Sequence, residues 1–316
     1  MALDCLCFGK SFIVERYVKT YTTWKRFTRE CQKTNLNLKP KTTTKQIALI
    51  VVFSAIYAAM RIIPTFPVIG TGGYFSVADI LAPIYGIILG PYLGGASVII
   101  GTFIGMSAKA PIFLGLDFLP GFINAVALGF LVRRKWLPVV ILNAVLLFAF
   151  VLSPLTLNFV NIPIGNSNLS IPFTWLHITA FIVLISPLGM KAGKWIQTEK
   201  TEISYKKSHF SFIRRIWSKR IVGFATLAFV GTMMQHLTGN ILFENIFVNV
   251  THVFTPETIM GYWFTIFFVY PWERLTLVIL ATLIGLPLFY VLTKTRLIQI
   301  SNAKAMEEDK PLTTFS

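Results

Sequence analysis

Five ionisable side chains lie within or beside long apolar segments of this 316-residue chain: Arg61, Asp79, Asp117, Glu273 and Arg274. A charge in the hydrocarbon of a membrane is costly unless it faces water, a partner or a ligand, so each is a candidate functional group. Carboxylates and guanidinium groups at that depth could bind a polar solute, and the carboxylates could instead carry protons or sodium ions. The sequence favours the first chemistry and leaves the second open.

Neutral polar and aromatic residues accompany these charges. Asn124 follows Asp117 by two helical turns, which predicts that both lie on one helix face. Each such residue could instead be structural, as a helix cap or an interfacial anchor. Trp263 and Tyr270 belong to the same ring of groups, and the predicted ligand-binding residues are Tyr74, Phe75, Asp79, Asp117, Asn124, Trp272 and Glu273.

Motifs for catalysis and metal binding are scarce. The fragment Gly9-Lys10-Ser11 lacks the earlier glycine of a phosphate-binding loop, and neither HExxH nor GxSxG occurs. Three cysteines, all before residue 32, are too few for a structural metal site of four ligands. We therefore expect no metal, no cofactor and no enzymatic activity. Each of the four histidines is expected to be a packed or interfacial imidazole: His177, His209, His236 and His252.

The amino-acid composition indicates that the protein lies in a membrane. Hydrophobic residues make up 54% of the chain, charged residues only 13%, and the mean hydropathy is +0.67, which excludes an ordinary soluble enzyme. Apolar stretches of about 20 residues are the length that a membrane requires of a helix. We predict an all-α polytopic protein of the cell membrane with about eight transmembrane helices, six to eight being compatible with the pattern. The segments are 46–63, 77–89, 91–107, 113–132, 136–157, 172–190, 221–243 and 262–293.

The net charge of +16 suggests either nucleic acid or a membrane as partner, and its placement decides between them. With the N-terminus inside, 26 of the 29 Lys and Arg residues fall in cytosolic segments, as basic residues of short loops do. We therefore predict cytosolic termini, anionic lipids as partners and no nucleic acid. The domains are a basic segment 1–45, a transmembrane domain 46–293 with a cytosolic loop 191–220, and a tail 294–316.

Small residues and prolines give further expectations. Ala55 and Ala59 form a small-xxx-small pair that lets another helix approach closely. Gly90-Pro91 predicts a turn between two short helices. Pro271 is expected to interrupt the last apolar segment, so that its spanning part begins near that residue and the residues before it lie at the interface.

The order of these features resembles the substrate-binding S components of energy-coupling factor (ECF) transporters. The likeness rests on the AxxxA pair, on Gly-Gly-Tyr-Phe-Ser-Val-Ala-Asp79, on Ile84-Tyr-Gly-Ile-Ile-Leu-Gly-Pro-Tyr-Leu-Gly-Gly95 and on the stretch after Pro271. It covers about residues 46–132 and 262–293. It implies a subunit that captures a small, vitamin-like solute for a shared coupling subunit and ATPases, with Ala55 and Ala59 contacting the coupling subunit and the loop before Asp79 covering the ligand.

The chain departs from that family, whose members usually have six helices in about two hundred residues, and residues 136–260 have no clear match in it. Two other functions fit the residues alone. One is an autonomous secondary transporter in which Asp79, Asp117 and Glu273 carry protons or sodium. The other is a membrane-embedded enzyme or a subunit of a larger membrane complex.

Overall fold

The computed structural model describes residues 44–165, 167–197 and 209–295, without the side chains at 164 and 209–218. The chain divides into residues 1–47, of which only the start of the first helix is described, and residues 48–316, which hold everything below. Most of the predicted basic segment 1–45 and of the tail 294–316 therefore lies outside the described residues.

Helices form most of the described chain. They are α1 (Thr44–Ile62), α2 (Ala78–Met106), α3 (Phe118–Val132), α4 (Trp136–Val151), α5 (Trp175–Ile185), α6 (Pro187–Gln197), α7 (His209–Glu244), a π-helix (Asn245–Val250) and α8 (Pro256–Lys294).

Several of these helices are candidate membrane spans. Within the described residues, α1, α2, residues Lys219–Val250 and α8 are long and apolar enough to cross a membrane. The pair α5–α6, bent by 65°, would be a fifth, and α3 and α4 are apolar but shorter. The chain is thus mostly helical, and its spans indicate a multi-pass membrane protein.

Two β-hairpins correct the all-α expectation. Strands β1 (Pro64–Pro67) and β2 (Tyr74–Ser76) pair antiparallel, and so do β3 (Phe159–Ile164) and β4 (Ser167–Pro172). Both occupy predicted outer loops, where proline and glycine interrupt the helical pattern. Strand pairing satisfies backbone groups that these helix-breaking sequences cannot satisfy within a helix.

Helix α2 is bent back on itself at the predicted turn. Gly90 has φ +81° and ψ −178°, a conformation that lies outside the helical region and that glycine adopts without a Cβ penalty. A Cβ built on Gly94 would lie only 2.7 Å from the carbonyl oxygen of Tyr85. Nine residues of straight helix would separate these positions by about 13 Å. Residues 78–89 and 91–106 therefore run as two antiparallel arms.

The last helix differs from its prediction. Helix α8 continues through Pro271 and Pro287 over 39 residues, so Pro271 does not interrupt it. The helix begins at Pro256, where the Thr255 hydroxyl accepts a hydrogen bond from the backbone N–H of Thr258. The predicted cytosolic loop 191–220 is also partly helical, because α6 extends to Gln197 and α7 starts at His209.

The connections between the helices form two groups, which lie at opposite ends of the helices. At one end, the guanidinium of Arg133 lies beside Gly90, and Gln197 Nε2 donates to the carbonyl of Val132 at 2.6 Å. At the other end, the indole N–H of Trp263 donates to Leu155 O, and Tyr270 Oη donates to Phe173 O. The first end holds the connection 133–135 and the end of α6, both in segments predicted to be cytosolic, and the second holds both hairpins. A mainly aromatic cluster that includes Phe150, Phe173 and Trp263 packs the hairpin end.

Candidate functional site

A cavity of about 90 Å³ lies at the hairpin end, which is room for several waters or a small solute. It is enclosed by α1, the β1–β2 hairpin, α2, the loop before α3, α7 and α8. Its charged and polar lining residues are Arg61, Ser76, Asp79, Lys109, Asp117, Gln235, His236, Asn240, Glu273 and Arg274. Its aromatic lining residues are Tyr74, Phe75, Phe113, Phe243, Trp263 and Tyr270.

All three basic residues of the cavity are those that the cytosolic count leaves over. Arg61, Lys109 and Arg274 are the only Lys or Arg residues outside the predicted cytosolic segments, which are residues 1–45, 133–135, 191–220 and 294–316. They lie in three different parts of the chain and meet at this one site. The three basic residues that do not follow the orientation pattern are therefore the three that line the cavity.

Asp79 begins a chain of hydrogen bonds that reaches from the hairpin into the helical core. Its Oδ2 accepts from the backbone N–H of Ser76 at 3.1 Å, and its Oδ1 accepts from Gln235 Nε2 at 2.7 Å. Gln235 Oε1 in turn accepts from Asn124 Nδ2 at 2.7 Å. Asn124 does not line the cavity, so it acts on the site only through Gln235. The amide oxygen of Asn124, Oδ1, is buried without a hydrogen-bond partner among the described residues.

Asp117 is held by three donors. Its Oδ1 accepts from Arg61 Nη2 and from the backbone N–H of Ile112, both at 2.9 Å, and its Oδ2 accepts from the N–H of Phe113 at 3.0 Å. The carboxylate therefore fixes the loop that leads into α3 and anchors the end of α1. Asp117 lines the cavity, and these bonds give it a positioning role.

Glu273 and Arg274 form a second ion pair. The two neighbours on α8 are 5% and 3% exposed, and Arg274 Nη2 donates to Glu273 Oε1. The guanidinium carbon of Arg274 lies 5.7 Å from the ring centre of Phe75, a cation–π distance that joins α8 to strand β2. Arg274 Nε is buried without a partner among the described residues.

The β1–β2 hairpin covers the cavity. Lys109 Nζ donates to the carbonyl oxygen of Tyr74 at 2.5 Å and ties the hairpin to the loop before α3. Burial there, together with the nearby positive charge of Arg61, lowers the pKa of the Lys109 ammonium, while Asp79 and Asp117 oppose the shift. A Cβ built on Gly70, whose φ is +83°, would lie 2.6 Å from the ring of Tyr262, so the hairpin fits closely onto α8.

Lys109, Gln235 and Asn240 line the cavity but are not among the predicted ligand-binding residues. The pairing of two buried histidines, of which His236 lines the cavity, was not predicted either. His177 Nε2 and His236 Nδ1 are 3.0 Å apart, and the ring of Tyr270 stacks on both. Both are packed imidazoles, as expected of each singly, but they belong to α5 and α7 and are 59 residues apart in sequence. No spacing rule connects them. Among the described residues, no group of three or more His, Cys, Asp or Glu side chains could hold a metal ion.

The remaining predicted residues separate into two groups. Tyr74, Phe75, Asp79, Asp117 and Glu273 line the cavity. Trp272, on α8, lies outside the cavity with 73% of its surface exposed, because its side chain faces away from the neighbouring helices.

Ala55 and Ala59 occupy the exposed face of α1, opposite the buried Ser54 and Tyr57. Gly101 of α2 packs against the buried face, where a Cβ would meet both of those residues. The alanine pair is therefore not used for packing between α1 and α2.

Comparison with protein families, with curated proteins and with solved structures finds no match to this chain.

Proposed function

We propose that the chain is the membrane-embedded substrate-binding subunit of an ECF-type uptake transporter for a small, vitamin-like solute, energised by a separate ATPase module. The observation that carries the proposal is the cavity under the β1–β2 hairpin, whose walls combine charged, amide and aromatic side chains. Such a mixture is typical of small-molecule sites, in which apolar walls bury the solute and a few polar groups orient it.

The arrangement around the cavity supports uptake. The cavity lies at the end opposite the basic connection 133–135, and the distribution of Lys and Arg favours an external position for that end. A solute from outside would enter beside the hairpin. The sequence contains no nucleotide-binding motif, so ATP would be used by other chains, and the exposed Ala55–Ala59 face offers close approach to a coupling subunit.

Eight crossings are part of the proposal. The two arms of α2 count as two, the bent α5–α6 pair as one, and α1, α3, α4, α7 and α8 as one each. The even number keeps both termini on the cytosolic side.

A cavity-filling variant tests the function. Gly239 lines the cavity, and a Cβ built there meets nothing within 4 Å, so the side chain of Gly239→Leu has space at its Cβ and should occupy the cavity. Gly261→Leu is the matched control, because Gly261 also has open space but does not line the cavity. The full-length proteins are extracted in mild detergent, and retained small molecules and proteins are identified by mass spectrometry.

We expect one small solute to be retained by the wild type and by Gly261→Leu but lost from Gly239→Leu. An ATPase and a coupling protein should co-purify with all three. Absence of both a solute and these partner proteins from the wild type contradicts the proposal.

A second candidate, an ion-coupled secondary transporter, is favoured by Asp79, which has no ion pair among the described residues. A carboxylate of this kind can carry a proton or a sodium ion. Uptake into liposomes driven by an ion gradient, with no other protein and no ATP, distinguishes this candidate from the first.

A further inference from the structure

The charges of the cavity sum to zero. Three acidic residues (Asp79, Asp117 and Glu273) and three basic residues (Arg61, Lys109 and Arg274) line it. A site with excess charge of one sign attracts solutes of the opposite sign, and this one has no such excess. The balance favours a solute that is either uncharged or carries charges of both signs.

Ion pairing inside the cavity distinguishes these two classes. Arg61 pairs with Asp117 at 2.9 Å, and Arg274 pairs with Glu273. Four of the six charges are therefore neutralised within the protein, and the paired groups need no charge from a solute.

The two charges left over have opposite signs. Asp79 accepts hydrogen bonds from Ser76 N and Gln235 Nε2, both neutral donors, and forms no ion pair in the described part of the chain. Lys109 donates to the neutral carbonyl of Tyr74 and likewise has no ion pair within the described ranges. An ammonium has three donors, so Lys109 keeps capacity for a further acceptor.

A neutral donor also remains for a solute. Asn240 lines the cavity and is 6% exposed, and its Nδ2 is buried without a hydrogen-bond partner among the described residues. Leaving a buried donor unsatisfied costs stability, so a bound group that accepts from Asn240 would recover that cost.

From this arrangement we propose that the solute is amphoteric, with a cationic amine that binds Asp79 and an anionic carboxylate or phosphate that binds Lys109. The inference rests on the proposed function, because it specifies the substrate class of the same cavity. The two ion pairs then hold the walls in place, and Asp79 and Lys109 select the solute.

Binding of matched probes to the full-length protein in detergent tests the inference. The probes are ω-amino acids from glycine to 6-aminohexanoate, each compared with the amine and the carboxylic acid of the same chain length. Affinity is measured by calorimetry. At least one amino acid should bind about tenfold or more tightly than both singly charged analogues, since each charge-assisted contact contributes at least that factor.

Two substitutions assign the ends of the probe. Asp79→Asn should lower the affinity for the amino acid and the amine without affecting that for the carboxylic acid. Lys109→Met should lower the affinity for the amino acid and the acid without affecting that for the amine. Glu257→Gln and Lys135→Met are the controls, because neither residue lines the cavity. Lys109 lies in a loop, where a substitution is less disruptive to folding. Lys109→Met therefore still tests which residue binds the anionic end of the probe if Asp79→Asn unfolds.

Equal binding of all three probe types overturns the inference, and so does a lack of binding by every probe. Mass spectrometry of the co-purified solute separates this failure from failure of the proposed function. A retained solute with charge of only one sign, or with none, contradicts the amphoteric class but supports a solute-binding subunit.

Discussion

Gly94 packs against the backbone of Tyr85, nine residues earlier in the same helix, and the two arms of α2 meet at this contact. A Cβ on Gly94 would lie 2.7 Å from the carbonyl oxygen of Tyr85. Tyr85 is itself fixed, because its hydroxyl donates to Phe53 O on α1 at 2.8 Å. The turn at Gly90 places Asp79, near the start of the first arm, at the same end as the loop that follows the second arm.

The first prediction concerns this contact. Gly94→Ala should destabilise the protein by about 1–3 kcal/mol, because the added methyl group meets a backbone atom that cannot rotate away. Gly261→Ala is the control, since its Cβ has open space in α8 and alanine is the better helix former. Thermal unfolding in detergent measures both. An unchanged midpoint for Gly94→Ala would contradict the folded-back arrangement.

The second prediction concerns the chain of hydrogen bonds behind Asp79. Gln235→Leu removes the donor to Asp79 and leaves the amide of Asn124 unsatisfied, which should cost about 1–3 kcal/mol and weaken solute binding. Gln197→Leu also removes a partly buried side-chain hydrogen bond, but at the opposite end. It should lower stability and leave binding intact. Calorimetry and thermal unfolding of both variants separate the two effects.

The third prediction concerns the two buried histidines. His177→Phe and His236→Phe should each destabilise the protein by about 1–3 kcal/mol, because each leaves the other imidazole without its partner. The double variant should cost less than the sum, with a coupling of about 0.5–3 kcal/mol. Simple additivity in a double-mutant cycle would show that the 3.0 Å contact contributes nothing. His252→Asn is the control, since Asn tolerates the positive φ of that exposed residue.

The fourth prediction concerns the exposed face of α1. Replacing Ala55 and Ala59 with Trp should abolish transport and co-purification of the coupling protein, because bulky side chains prevent close approach of another helix. Solute binding should persist, since neither alanine lines the cavity. Ala149→Trp on α4 is the control, being another exposed alanine. Loss of binding together with transport would indicate misfolding instead of a lost interface.

The fifth prediction concerns orientation. Reporters fused at Lys135 and Tyr205 should lie in the cytosol, and one at Asn166 should lie outside, because the basic segments are retained inside. Enzymatic reporters active on one side of the membrane measure this. An external reporter at Tyr205 would contradict the predicted membrane topology, and with it the assignment of the cavity to the outer side.

The sequence predicts the helices of this protein more completely than the contacts of its site. Long apolar stretches fix where helices can cross a membrane, since every backbone group in lipid must be satisfied locally, and the turn at Gly90-Pro91 follows from residues next to each other. Proline rules are weaker in such helices, and the continuity of α8 through Pro271 depends on its packing against neighbouring helices.

The site depends on partners distant in sequence. The residues alone marked Asp79, Asp117 and Glu273 as unusual, because a charge at membrane depth is costly wherever the chain folds. Only the tertiary structure shows that Asp117 is held by Arg61, 56 residues away, and that Gln235 reaches Asp79 across 156 residues. It also turns Trp272 away from the cavity and brings His177 against His236. The cost of burying a charged side chain depends on the residue type and can be read from the sequence. The hydrogen bonds and ion pairs that offset this cost depend on which helix faces meet in the tertiary structure.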